Sequence, residues 1–143
     1  MIHIIPSLPS TTAALDAERT RLEVIAQNIA NANTTRGVDG HPYQRQQVVF
    51  EAALQHAQGK DGSKTAVSIP EVSRIQKDER PGPTVYQPGH PDADGNGMVQ
   101  LPNVNLYEEM ADMIVASRTY EANVAVFKNG RAMAMQALSI GKH

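Results

Sequence analysis

The chain has 143 residues, a formal net charge of −2 and no cysteine, a length that argues for one core or one core with extensions. The charge balance excludes recruitment of nucleic acid or anionic membrane through a basic surface, and the missing Cys excludes disulfides and thiolate metal sites. With no Trp and only 4% aromatics, large side chains for burial are scarce, so partners are expected to complete the order.

The start, Met1-Ile2-His3-Ile4-Ile5-Pro6, carries no basic segment and its apolar run stops at a proline, which is not the pattern of a secretory signal. No run reaches the roughly 20 apolar residues that span a bilayer. If the protein leaves the cytoplasm, another export route carries it.

Prolines leave two long free stretches, Ser10 to His41 and Asn103 to His143, and these are the helix candidates. In the first, Ser10, Thr11 or Thr12 can cap the amino end. Leu15, Leu22, Ile25, Ile29 and Ala32 then form one apolar stripe. Asn31, Asn33 and Gly37 provide a stop before the Asp39-Gly40 turn.

Between the helices, Tyr43 to Phe50, Thr65 to Ile75, Thr84 to Tyr86 and Met98 to Leu101 are short, rich in β-branched or aromatic residues, and bounded by Gly, Pro or Asp. That composition reads as a small strand-rich module. Glu51 to Gln58 is ambiguous, because its alanines also suit a helical turn. Gln58 to Lys64 reads as a surface loop.

The second stretch has the stronger pattern: Leu106, Met110, Met113, Ser117, Tyr120, Val124, Phe127, Arg131, Ala134 and Leu138 alternate at spacings of four and three. Such a period favours a partner helix packed nearly parallel or antiparallel. Glu108, Glu109 and Asp112 lie early and Lys128, Arg131 and Lys142 late, in the sense the helix dipole favours. Gly130 is the one weak spot, a place for close approach or bending. The first helix is too short to cover the second, so part of the stripe is expected to face another chain.

Asp92-Ala93-Asp94-Gly95-Asn96-Gly97 has the opening spacing of a calcium loop, but Asn103 stands where the bidentate Glu is needed and Pro88 and Pro91 forbid the entering helix. A Gly-rich turn is the expectation. The five histidines lack metal-ligand spacing. No nucleophile elbow, phosphate loop or dinucleotide fingerprint occurs, so neither an enzyme nor a cofactor is implied.

Asn28-Ile29-Ala30-Asn31-Ala32-Asn33-Thr34 resembles the Asn/Ala motif that closes the first helix in bacterial flagellar axial proteins, the rod and hook group. Tyr43 to Phe50, the Tyr86-Gln87-Pro88-Gly89-His90-Pro91-Asp92-Ala93-Asp94 run with Gly97, Leu101-Pro102-Asn103-Val104-Asn105, Glu109-Met110 and Ala116 to Val124 narrow the resemblance to small proximal-rod proteins without a large outer domain. The resemblance implies a subunit exported by the flagellar type III apparatus without a cleaved signal. It would assemble in the periplasm-spanning rod beside its own copies, other rod proteins and the export-gate adaptor, and transmit torque from motor to hook.

The expected fold is α+β: an N-terminal helix of the inner axial part over residues 10–36, a strand-rich module over 37–103, and a C-terminal helix over 104–143. The expected assembly interface comprises Leu15, Leu22, Ile25, Asn28, Ile29 and Asn31 with Leu106, Met110, Met113, Ser117, Tyr120, Val124, Phe127 and Leu138. Leu15, Leu22, Ile25 and Ile29 are expected to meet part of the second stripe within the subunit. The rival class is a soluble helical adaptor that does not polymerise.

Overall fold

The computed structural model describes residues 8–58 and 64–140, so the expectations made for the Met1 start, the centre of the Gln58–Lys64 loop and the last three residues lie outside the described residues. Among the described residues, two helices and two antiparallel strand pairs make an α+β fold. The elements are α1 (Leu8–Ala30), β1 (Gln46–Gln58), β2 (Lys64–Lys77), β3 (Thr84–Tyr86), β4 (Met98–Gln100) and α2 (Leu106–Ile140).

Helix α1 starts before the expected Ser/Thr cap, with Pro9 in its first turn, where a missing N–H costs nothing. Ser10 to Thr12 therefore lie inside the helix, and the Thr12 hydroxyl donates back to the Pro9 carbonyl at 2.9 Å. The helix stops at the asparagines. Asn31 turns its side-chain amide onto the Gln27 carbonyl at 2.9 Å, and Ala32 N–H tightens onto Ile29 at 3.2 Å. Helix α2 begins on Asn105, whose Oδ1 accepts the Tyr107 N–H at 3.1 Å with Glu108 one residue further on, an N-cap with an acid in the first turn.

Strands β1 and β2 pair from Gln46↔Lys77 out to Gln58↔Lys64, with Ser73 skipped between Val49↔Arg74 and Phe50↔Val72. The ambiguous Glu51–Gln58 stretch is strand, because a continuous antiparallel partner satisfies its backbone and overrides local propensity. The ribbon lies against α1, with Ala13, Ala17 and Thr20 facing Ile69, Pro70 and Val72 across a shallow cleft. Ala17, Val24 and Ile69 are buried there.

Strands β3 and β4 form a second hairpin, register Thr84↔Gln100 to Tyr86↔Met98, whose buried residue is Val99. Its foot requires a glycine: a Cβ on Gly82 would lie 1.9 Å from the Leu101 carbonyl oxygen. The chain crosses itself there, with Leu101 N–H donating to Pro83 O at 2.8 Å. At the tip, Asp94 Oδ1 accepts the N–H groups of Asn96 and Met98 at 2.8 and 2.9 Å, and Gly97 takes φ 77° against Tyr86 and Pro88.

Helices α1 and α2 are antiparallel. Asn28 meets Glu109, and two turns back along α1 Arg21 approaches Asp112 at 4.0 Å, one turn forward along α2. On α2 the buried residues are Glu109, Ala116 and Gly130. Met113, Tyr120, Asn123, Phe127 and Ala134 on the same side are half-buried. The covered seam is thus 109-113-116-120-123-127-130-134, which shares Met113, Tyr120, Phe127 and Ala134 with the apolar stripe but replaces 110, 117 and 131 by their preceding neighbours, while Val124 is half-buried beside Asn123. Small residues let the helices approach closely, and the seven-residue spacing keeps them in contact as a left-handed pair.

Candidate assembly site

Asn28 lies near the end of α1 with 1% exposure, and each of its four hydrogen-bonding positions is used. Its Nδ2 donates to the Gln46 carbonyl at 2.9 Å and to Glu109 Oε2 at 3.0 Å. Its Oδ1 accepts the Gln46 N–H and the Tyr43 hydroxyl, both at 2.9 Å. One amide side chain therefore joins α1, the start of β1 and the first turn of α2.

Glu109 is fully buried, and its second oxygen accepts Arg45 Nε at 2.5 Å. Arg45 also reaches Asp112 at 3.5 Å, and Arg21 stands between Asp112 and Glu18 at 4.0 and 3.9 Å. Charges alternate from Glu18 through Arg21, Asp112 and Arg45 to Glu109. A buried carboxylate persists as a charge only with such a partner and full hydrogen bonding. Beside it, burial first and the Glu109 charge second push the Tyr43 phenol above its ordinary pKa, which keeps the hydroxyl a donor.

Asn103 extends the knot across the root of the ribbon to the chain that leaves β2. Its Oδ1 accepts the Arg45 N–H at 2.6 Å, and its Nδ2 donates to the carbonyls of Asp78 and Arg80 at 2.9 and 2.8 Å. The Arg80 guanidinium holds the Asp78 carboxyl well below the usual range, at about 2. On the opposite side, Thr35 Oγ1 donates to Asp92 at 2.7 Å and Arg36 pairs with it at 3.4 Å, tying the loop after α1 to the second hairpin. The Asp92 and Asp94 carboxylates serve as loop ties, and among the described residues no group of three metal-ligating side chains converges.

The expected interface residues divide by surroundings. Ile25 and Asn28 are buried, while Leu15, Leu22, Ile29, Asn31, Met113, Tyr120, Val124 and Phe127 are half-buried. Leu106, Met110, Ser117 and Leu138 are exposed. Exposed with them on α2 are Tyr107, Ile114, Val115, Val126, Met133, Met135 and Ile140, residues that a single stripe did not include. Met110, Met113, Ile114, Ser117, Arg118 and Glu121 line a shallow, largely apolar groove on this surface.

Sequence reasoning also passed over Arg45, read Asn103 only as the residue in place of a calcium ligand, and read Glu109 as a dipole-favoured acid. The signal available was indirect: these residues lie within the runs that carry the family resemblance.

Antiparallel helices closed at one end, a two-stranded ribbon and a long exposed apolar helix face together describe a structural subunit with surface left for neighbours. The comparisons agree. Residues 10–36 match the family model "Flagella basal body rod protein", and residues 96–140 match "Flagellar basal body rod FlgEFG protein C-terminal". The flagellar basal-body rod protein FlgC of Borreliella burgdorferi is 41% identical, covering 94% of this chain and 95% of its own length. That of Salmonella typhimurium is 39% identical (91% and 92%), and that of Bacillus subtilis 38% (95% and 97%). The chain belongs to the FlgC family of flagellar basal-body rod proteins and is a structural rod subunit. The non-polymerising adaptor is the reading these similarities disfavour.

Proposed function

We propose that this subunit builds the rod by docking the exposed apolar face of α2 onto helices of neighbouring subunits, both its own copies and related rod proteins. The observation that carries this reading is the mismatch between the helices. Helix α2 has 35 residues and α1 has 23, about 52 Å against about 35 Å at 1.5 Å per residue. Counting outward from Asn28 and Glu109, Gly130 lies about level with the start of α1, so the exposed Met133, Met135, Leu138 and Ile140 overhang it. An apolar surface this long is an interaction surface in a soluble chain.

In this reading residues 10–36 and 104–143 make the inner axial part and residues 37–103 the outer module. The interface combines the exposed Leu106, Met110, Ser117 and Leu138 with the half-buried members of both stripes. Among the described residues no helix is long and apolar enough to cross a membrane. Delivery to the periplasm-spanning rod is by the flagellar type III apparatus, and the export-gate adaptor is a neighbour at the rod's base. The subunit has no catalytic role. It transmits torque through packed helices, whose apolar burial at about 25 cal/mol per Å² resists relative sliding.

The test is complementation of a motility-deficient deletion strain with Val126→Asp, Met133→Asp and the exposed polar control Lys128→Gln. Both aspartates are expected to be secreted yet to leave rods incomplete in extracted basal bodies, while Lys128→Gln supports swimming. Normal rods from secreted Val126→Asp and Met133→Asp would remove this face from the assembly.

A further inference from the structure

The seam between α1 and α2 repeats every seven residues. On α2, Met113, Tyr120 and Phe127 put a large side chain at each repeat, and Ala116, Asn123 and Gly130 a small one. On α1, Leu15, Leu22 and Ile29 recur at the same interval. A slip of seven residues therefore lays large on large and small on small, and apolar packing, which is non-directional, separates the two alignments only weakly. The slip moves α2 along α1 by about 10 Å at 1.5 Å per residue. The overhang of α2 then lengthens or shortens by that amount, and the subunit offers its neighbours a different end.

The base tells the alignments apart. Among the described residues Asn28 and Glu109 are the buried polar side chains. Asn28 Nδ2 donates to Glu109 Oε2 at 3.0 Å, and the other oxygen of Glu109 accepts Arg45 Nε. A seven-residue slip brings Ala116 or Pro102 level with Asn28 in place of Glu109. Neither side chain accepts a hydrogen bond, and Glu109 is carried away from Arg45, so a buried donor and a buried carboxylate are left unanswered.

We infer that Asn28 and Glu109 are positioning residues that select one of several near-equivalent alignments of α1 and α2, and so fix how far α2 overhangs α1 in each subunit of the rod. One buried polar contact among apolar repeats holds paired helices to a single register, at a cost in stability that apolar residues there would not incur. The inference rests on the assembly reading above and adds why every copy presents the same end to its neighbours.

The chain has no cysteine, so introduced thiols report the alignment inside the assembled rod. Counting equally outward from Asn28 and Glu109 puts Ala14 level with Asn123, both half-buried. A slip puts Ala14 level with Ala116, lengthening the overhang, or with Gly130, shortening it. Tagged full-length chains carrying Ala14→Cys with Asn123→Cys, Ala116→Cys or Gly130→Cys are expressed beside the untagged parent, so that rods complete on parent copies. Basal bodies are extracted and oxidised, and disulfides within one tagged chain are measured by mass spectrometry of non-reduced digests. With Asn28 in place, the 14–123 bond is expected to form and the other two to stay at background. Asn28→Leu, which keeps the side-chain size and removes its polar atoms, is expected to cut the 14–123 yield at least about threefold and to raise 14–116 or 14–130. No 14–123 bond in the parent, an unchanged yield in Asn28→Leu, or a fall with no gain at either slipped pair overturns the inference; the last would mean that the pair had only loosened. Should Asn28→Leu be secreted but absent from rods, Asn28→Ser decides: the parent's pattern overturns, a shift to a slipped pair supports. Normal rods from Val126→Asp and Met133→Asp would remove the outer face from assembly without touching this readout, and an unchanged 14–123 yield would remove the register role without touching the outer face.

Discussion

The closed base of the helix pair and the long outer face of α2 are opposites within one chain. At the base, Asn28, Arg45, Asn103 and Glu109 are largely shielded, and each meets partners from other elements. Along the outer face, Ile114, Val126 and Met133 are each more than half exposed, and no polar group dictates what they meet. Directional contacts specify one arrangement, because any other leaves a buried donor or charge unanswered. Apolar surface accepts any complementary apolar surface. A rod subunit that joins other rod components has use for both, the first for its own shape and the second for its neighbours.

The largest effect should come from breaking the base. Arg45→Ala leaves the fully buried Glu109 without its cation, and the loss should be about 3–5 kcal/mol in urea unfolding of the free chain. A loss below about 1 kcal/mol would mean that the pair behaves like an exposed one and that the base is not special.

A smaller effect sharpens the contrast between the two sides of α2. Ala116 is 0% exposed and Ile114 59% exposed, two residues apart on one helix. Ala116→Asp should cost about 1–3 kcal/mol, whereas Ile114→Asp should stay within about 0.5 kcal/mol in the same free-chain measurement. Equal costs would show that both sides of α2 are covered in the free subunit.

The smallest effect concerns pH at the outer end of the knot. Arg80 depresses the Asp78 carboxyl to about 2, so its contribution is present above the unfolded-state pKa near 3.8 and is lost as pH falls through about 2. Arg80→Gln should therefore flatten the fall of the urea midpoint between about pH 4 and pH 2. An identical profile in parent and variant would remove this pair from the acid response.

Much of the fold was legible. Prolines bracketed the helices, β-branched runs marked the strands, and the asparagines after Ala30 marked the helix stop. The seam on α2 was half legible: Met113, Tyr120, Phe127 and Ala134 belong to both the apolar stripe and the covered side. The choice between 110-117 and 109-116 could not be made by counting apolar residues. The first pair holds Met and Ser, the second Glu and Ala, and the second is the covered one because a small side chain permits close approach and one buried acid finds its partners. The candidate site was less legible, since Asn28 stood out only through its motif and Arg45 did not stand out.

By itself the sequence determined the α+β order of elements, the turn chemistry of Gly97 and Asp94, and the family, because these rest on local backbone preference and contiguous runs of residues. Only the tertiary structure decided that Glu109 is interior and which side of α2 is left open. Glu109 is held by groups 64 and 81 residues away in the chain, and no local pattern encodes a charge whose stability depends on partners that distant.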